Sequence, residues 1–132
     1  VAKGTTAFAP LIVGETVSIL EPRPWGTFEI LAKGPGFWVK KLTVQPGGRT
    51  SLQRHHHRSE LFSCLAGTGI FYKDEGSFAV VPGAEITVPV CTLHRIECPK
   101  EASGPLVLLE IARGAVLAED DIERLEDDYG RA

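Results

Sequence analysis

Short apolar or alternating runs, broken at regular intervals by glycine and proline, constrain this chain more than any other feature. They cover Thr27 to Leu31, Phe37 to Val44, Leu61 to Leu65, Gly69 to Tyr72, Ser77 to Val81, Glu85 to Val88, Leu93 to Glu97 and Leu106 to Ile111. Turn signals separate them: Gly34-Pro35-Gly36, Pro46-Gly47-Gly48, Ala66-Gly67, Asp74-Glu75-Gly76, Pro82-Gly83 and Ser103-Gly104-Pro105. Strands recurring every 8 to 12 residues or so favour a sandwich or barrel over an α/β unit. With 132 residues and 43% hydrophobic content, the chain can bury one core but hardly two. We therefore expect one all-β domain over residues 23–132. Residues 1–22 read either as an extra edge strand or as an arm that pairs with a neighbouring subunit. Only Leu117 to Leu125 has helical features, with acidic residues early and Ile122 and Leu125 three apart, which predicts a short C-terminal helix packed on the barrel.

A net charge of −3 argues against a nucleic-acid partner held by general electrostatics, so an anion must be caught by a local basic cluster. Seven of the 17 acidic residues fall between Glu119 and Asp128, whereas Lys40, Lys41, Arg49, Arg54, Arg58 and Arg95 lie in or beside the central segment. That segment is the place for a phosphate. The apolar stretch Leu11 to Val13 is too short for a signal peptide, and nothing approaches transmembrane length. A cytoplasmic protein without membrane contact is the expectation. Cys64, Cys91 and Cys98 are then reduced thiols rather than a disulfide framework.

The chemistry concentrates in Pro46 to Gly67, PGGRTSLQRHHHRSELFSCLAG, which holds three of the four histidines beside a glutamine and a glutamate. Strand alternation puts Gln53, His55 and His57 on one face, with Arg54 and His56 on the other. Imidazole, carboxylate and amide oxygen together suit zinc, iron, manganese or nickel. Read alone, the run fits an exposed polar hairpin equally well.

The spacing, however, resembles the two-part signature of the cupins. The first motif, G-x5-H-x-H-x3or4-E-x6-G, is matched by Gly47-x5-Gln53-x-His55-x4-Glu60-x6-Gly67 with Gln53 in place of the first histidine. The second, G-x5-P-x-G-x2-H-x3-N, is matched by Gly83-x5-Pro89-x-Cys91-x2-His94-x3-Cys98, with cysteines for its last glycine and its asparagine. The resemblance implies a jelly-roll barrel that brings Gln53, His55, Glu60 and His94 onto one interior wall around a single divalent metal, zinc first among the four candidates. His57 is a reserve ligand, or else a substrate contact or a hydrogen bond at the cavity mouth. Cys91 is a bystander or a soft-metal ligand, and Cys64 a buried thiol.

A closer resemblance runs from RPWG at Arg23 to Gly26 through PG-x3-SLQRHHHR-x-E and LHRIE to EDDYGR ending at Arg131. It is similar to the cupin domain of type II phosphomannose isomerases, which usually follows a mannose-1-phosphate guanylyltransferase domain. No glycine-rich nucleotide loop is found here, so guanylyltransferase activity is not expected of these residues. The resemblance implies metal-assisted interconversion of mannose 6-phosphate and fructose 6-phosphate by proton transfer through an enediol. Glu97 or Glu29 is the candidate base. Arg58 is the leading phosphate ligand, with Lys41, Arg54 or Arg95 as helpers. Trp25 either stacks on the sugar or packs a turn.

Leu61-Phe62 replaces the family's usual His-Trp after the glutamate, which leaves the substrate less determined than the metal. Two rivals therefore stand beside the isomerase: a catalytically silent sugar-binding or regulatory cupin, and a metal-dependent oxygenase. Exposed edge strands of a small barrel further suggest a homodimer.

Overall fold

The structure, a computed structural model, describes residues 15–74 and 76–132. Their eleven strands are β1 (Glu15–Arg23), β2 (Gly26–Gly34), β3 (Phe37–Val44), β4 (Leu52–Arg54), β5 (Ser59–Ala66), β6 (Gly69–Lys73), β7 (Gly76–Val80), β8 (Glu85–Val88), β9 (His94–Glu97), β10 (Leu106–Arg113) and β11 (Glu123–Glu126). Two sheets form, one ordered β1-β2-β3-β10-β5-β8 and the other β11-β4-β9-β6-β7, with antiparallel neighbours throughout. The all-β reading holds.

Strand parity sets what fills the space between the sheets. In β3, Trp38, Lys40, Leu42 and Val44 point inward; in β10, Leu106, Leu108, Glu110 and Ala112; in β5, Glu60, Phe62 and Cys64. The register lines these residues up in rows across the sheet. Trp38, Ala112, Glu60 and Val88 make one row, Lys40, Glu110, Phe62 and Ile86 the next, and Leu42, Leu108 and Cys64 a third. One end of the barrel is thus polar and aromatic. The other is closed by Val44, Leu106, Leu108, Phe71, Val80 and Cys98, all fully buried.

The predicted C-terminal helix is not present; no helix occurs among the described residues. Instead β11 pairs with β4, matching Glu123 to Arg54 and Arg124 to Gln53. The unpaired edge of β4 offers these residues backbone partners, and their acidic side chains meet cations across the fold: Arg54 donates to Glu123 at 2.8 Å and Lys40 to Glu119 at 2.8 Å. Two apolar residues three apart bury too little to compete, and Leu125 stays 43% exposed. At the other end, β1 pairs with β2 at the edge of the larger sheet. Residues 1–14 of the arm or edge strand considered above lie outside the described residues.

Gly67 closes the central stretch at φ +79°, where an added Cβ falls against the Pro105 carbonyl oxygen and Leu106. Gly67→Ala is expected to cost roughly 1–3 kcal/mol, read as a lower urea midpoint at unchanged slope.

Candidate metal centre and its pocket

His55 follows directly on β4, Glu60 is the second residue of β5 and His94 opens β9. Pairing of Gln53 with His94 between β4 and β9 draws the two histidines together. The three side chains are buried, and their ligating atoms lie within 4.8 Å of one another. Each imidazole is oriented from behind. Nδ1 of His55 lies 2.7 Å from the Asp121 carbonyl oxygen and Nδ1 of His94 lies 2.9 Å from that of Thr92. A carbonyl only accepts, so both Nδ1 atoms carry the proton and both Nε2 lone pairs point inward.

Between them stands Glu60. Arg58 Nε donates to its Oε2 at 3.0 Å, and Oε1 faces His94 Nε2 at 3.1 Å and His55 Nε2 at 3.4 Å. The His94 contact lacks the angles of a hydrogen bond, so Glu60 Oε1 and His94 Nε2 are buried without partners. Burial works against the charge on Glu60, but in the metal-free chain a proton on Nε2 of His55 or His94, where a metal would otherwise sit, outweighs it and holds the carboxyl well below the usual carboxylate range. Two imidazole lone pairs and a carboxylate oxygen, two of the three atoms orphaned, are a donor set that fits a divalent metal.

Gln53 adjoins this group with its amide nitrogen, 3.4 Å from His55 Nε2, while its oxygen accepts from the Ser51 hydroxyl at 2.7 Å. Its ligation requires the amide to turn over, which a hydroxyl tolerates because it also accepts. His57 is exposed and outside the group, since strand geometry ends at Arg54 and the parity with His55 is lost. The backbone N–H groups of His56 and His57 donate instead to the Asp121 carboxylate at 2.8 and 3.0 Å. Asp121, which the sequence did not single out, thereby fixes the histidine loop as well as the His55 ring. Cys91 is exposed with its thiol 3.6 Å from His56, and Cys64 and Cys98 are buried free thiols.

A pocket opens beside His94, lined among others by Gln53, Arg58, Phe62, Trp25, Lys40 and Glu110. Trp25 is 7% exposed and serves both this pocket and the core. Glu110 accepts a hydrogen bond from Trp38 Nε1 at 2.9 Å. Burial, with the charge of Glu60 added, pushes its pKa up to about 7 against the pull of Lys40 and Arg58. Lys40 Nζ lies 4.2 Å from the ring centres of both Phe28 and Trp38, and Arg58 lies over Trp38 at 4.8 Å.

The other residues singled out from sequence lie elsewhere. Glu97 is three residues beyond His94, on the opposite face of β9, and accepts from the Tyr72 hydroxyl at 2.7 Å. Glu29 pairs with Lys41 at 3.6 Å on the outer side of β2 and β3. Arg54 is held by Glu123, and Arg95 donates to the carbonyl oxygens of Thr50 and Glu126. Of the four phosphate candidates, Arg58 alone lines the pocket.

A two-sheet antiparallel jelly roll with a buried His-Glu-His group at its polar end is a cupin. Among solved structures it is similar to the capsular polysaccharide assembling protein CapF from Staphylococcus aureus, with a TM-score of 0.72 at 21% identity over 83% of this chain and 34% of that one. An RmlC-like cupin from Shewanella frigidimarina matches at 0.67 and 17% identity, covering 79% of this chain and 87% of the other. More narrowly, the chain belongs to the mannose-6-phosphate isomerase C-terminal family, which matches residues 16–127. It is 42% identical over 109 residues to the alginate biosynthesis protein AlgA of Pseudomonas aeruginosa, covering 83% of this chain and 22% of that protein. It is 41% identical to a mannose-1-phosphate guanylyltransferase of Klebsiella pneumoniae, again over 83% of this chain and 23% of the relative. The chain thus spans under a quarter of the length of these relatives.

Proposed function

We propose that these residues form a metal-dependent sugar-phosphate isomerase that interconverts mannose 6-phosphate and fructose 6-phosphate. The observation that carries the reading is the buried His55-Glu60-His94 group, whose His94 lines a pocket with a second buried carboxylate, Glu110, on its wall. Family membership supports the substrate class. Gln53 joins the three as the fourth ligand, and zinc is the preferred ion. A bound divalent metal supplies Lewis acidity for the substrate's carbonyl and hydroxyl oxygens.

The chain's own groups do the remaining work. A carboxylate that burial raises above the ordinary range is suited to take the proton from C2 of the aldose and return it to C1, and Glu110 is so raised and lines the pocket, where Glu97 and Glu29 lie off it. Trp38 Nε1 fixes the carboxyl. Lys40, held over two aromatic faces, supplies positive charge next to Glu110. The walls of Phe28, Leu42, Phe62 and Ile96 exclude water from the enediol. A homodimer and a cytoplasmic setting, where the three thiols stay reduced, belong to the same proposal.

The test is turnover of mannose 6-phosphate by the zinc-loaded chain under argon, followed by carbon NMR. Appearance of fructose 6-phosphate is the expected result. Binding without turnover identifies a silent sugar-binding module, and consumption that needs oxygen identifies an oxygenase.

A further inference from the structure

We infer that Arg23, Arg124 and Arg131 form an anion site at the outer rim of the pocket, built to hold a phosphate monoester dianion. They come from separate parts of the chain: the end of β1, the middle of β11 and the segment after it. All three are half-buried and line the same pocket as His94 and Glu110. The RPWG and EDDYGR segments, which the metal centre does not use, each deliver one of these arginines.

An unmet guanidinium donor points to a missing anion. Five cationic side chains line the pocket, Arg23, Lys40, Arg58, Arg124 and Arg131, against two carboxylates, Glu110 and Glu119. Lys40 takes Glu119 at 2.8 Å, and Arg58 takes Glu60 at 3.0 Å. Asp127 grips Arg131 through two bonds of 2.9 and 2.8 Å, which orients its guanidinium. Arg23 donates to the Pro22 carbonyl oxygen at 2.7 Å and reaches Glu21 at 3.4 Å. Arg124 is the least compensated. Its Nε is buried without a hydrogen-bond partner, and burial followed by the charge of Arg131 lowers its pKa. Among the described residues three buried side-chain polar atoms lack partners; two belong to the metal group and the third is this Nε. Stranding a guanidinium N–H among cations is costly, and a dianion with several acceptor oxygens removes that cost.

As an anion site this stands on the arginines alone; as the seat of the substrate's phosphate it rests on the isomerase reading. The test is calorimetric titration of the chain with inorganic phosphate at low salt, repeated after chelation. Arg124→Gln and Arg23→Gln are compared with Arg113→Gln, an exposed position off the pocket, and thermal melts check folding. The parent should bind one phosphate, at least tenfold more weakly in each rim variant and within twofold in Arg113→Gln. Mannose 6-phosphate should compete, and mannose should not. An unsaturable parent, or rim variants that are folded and bind like the parent, overturns the site. If Arg124→Gln fails to fold, Arg23→Gln decides alone. Phosphate binding at the rim without isomerase turnover refutes the isomerase and keeps the site, whereas turnover indifferent to both rim substitutions overturns the rim as the seat of the substrate's phosphate and keeps the isomerase. Phosphate binding that mannose 6-phosphate fails to displace assigns the site to the free anion and overturns the substrate assignment.

Discussion

Replacing His94 with alanine should bring bound metal from about one equivalent to less than about a tenth, and isomerase kcat/KM should fall at least about 1,000-fold, near 4 kcal/mol of transition-state stabilisation. The reason lies in how the three ligands are supplied. His94 comes from β9, whereas His55 and Glu60 stand at either end of the short connection from β4 to β5, which lie in different sheets. Its Nε2 is buried and its Nδ1 is committed to the Thr92 carbonyl, so no other atom of the ring can serve. Because His94 packs near Phe62 and Phe71, with ring centres 6.1 and 6.2 Å away, the alanine leaves a hole. His94→Gln keeps more volume and should show the same metal loss with a smaller fall in melting temperature. Elemental analysis of untagged protein purified without added metal reads the result. A parent that stays empty even after zinc is supplied overturns the metal centre.

Glu110→Gln should lower kcat about 100- to 10,000-fold, with KM changed far less, because the substitution keeps the Trp38 hydrogen bond and removes the proposed base. The same variant makes an opposite prediction for stability in the metal-free chain. Burial raises Glu110 from its ordinary value of 4.5 to about 7, so between those values the folded protein holds a proton that the unfolded chain releases. Stability therefore falls as pH rises through this window. Glutamine has no proton to lose. The variant should match the parent near pH 4.5 or so and exceed it at about pH 8, by roughly 3 kcal/mol at most. Urea midpoints at the two pH values measure this, and parallel profiles for parent and variant would show that Glu110 is not raised.

Parity along the strands explains both what the sequence revealed and what it hid. Phe37–Val44 and Leu106–Arg113 alternate cleanly, which is why their strand character was legible. The same alternation carried an unused signal. Lys40 and Glu110 fall in the inward phase of otherwise apolar rows, and a charged residue there marks a site. Glu97 stands an odd number of residues from His94, which already places it on the other face. His55, Glu60 and His94 were legible through motif spacing. Asp121, Arg124 and Arg131 were not, because the approach of Asp121 to the histidine loop and of the two arginines to the pocket depends on β11 pairing with β4, a contact between residues some 70 apart that local pattern does not encode.

That pairing has a bearing on the order of folding. The barrel from β2 to β10 is complete in its ladders and its apolar end without β11, whereas the carbonyl that turns His55 and the carboxylate that clamps the histidine loop both belong to Asp121. The centre is therefore expected to mature last, after the scaffold has closed. In such an order the metal is captured by a formed barrel rather than serving as its nucleus, and hydrogen exchange in the metal-free chain should be slow in β3, β5 and β10 while β4 and β11 open early.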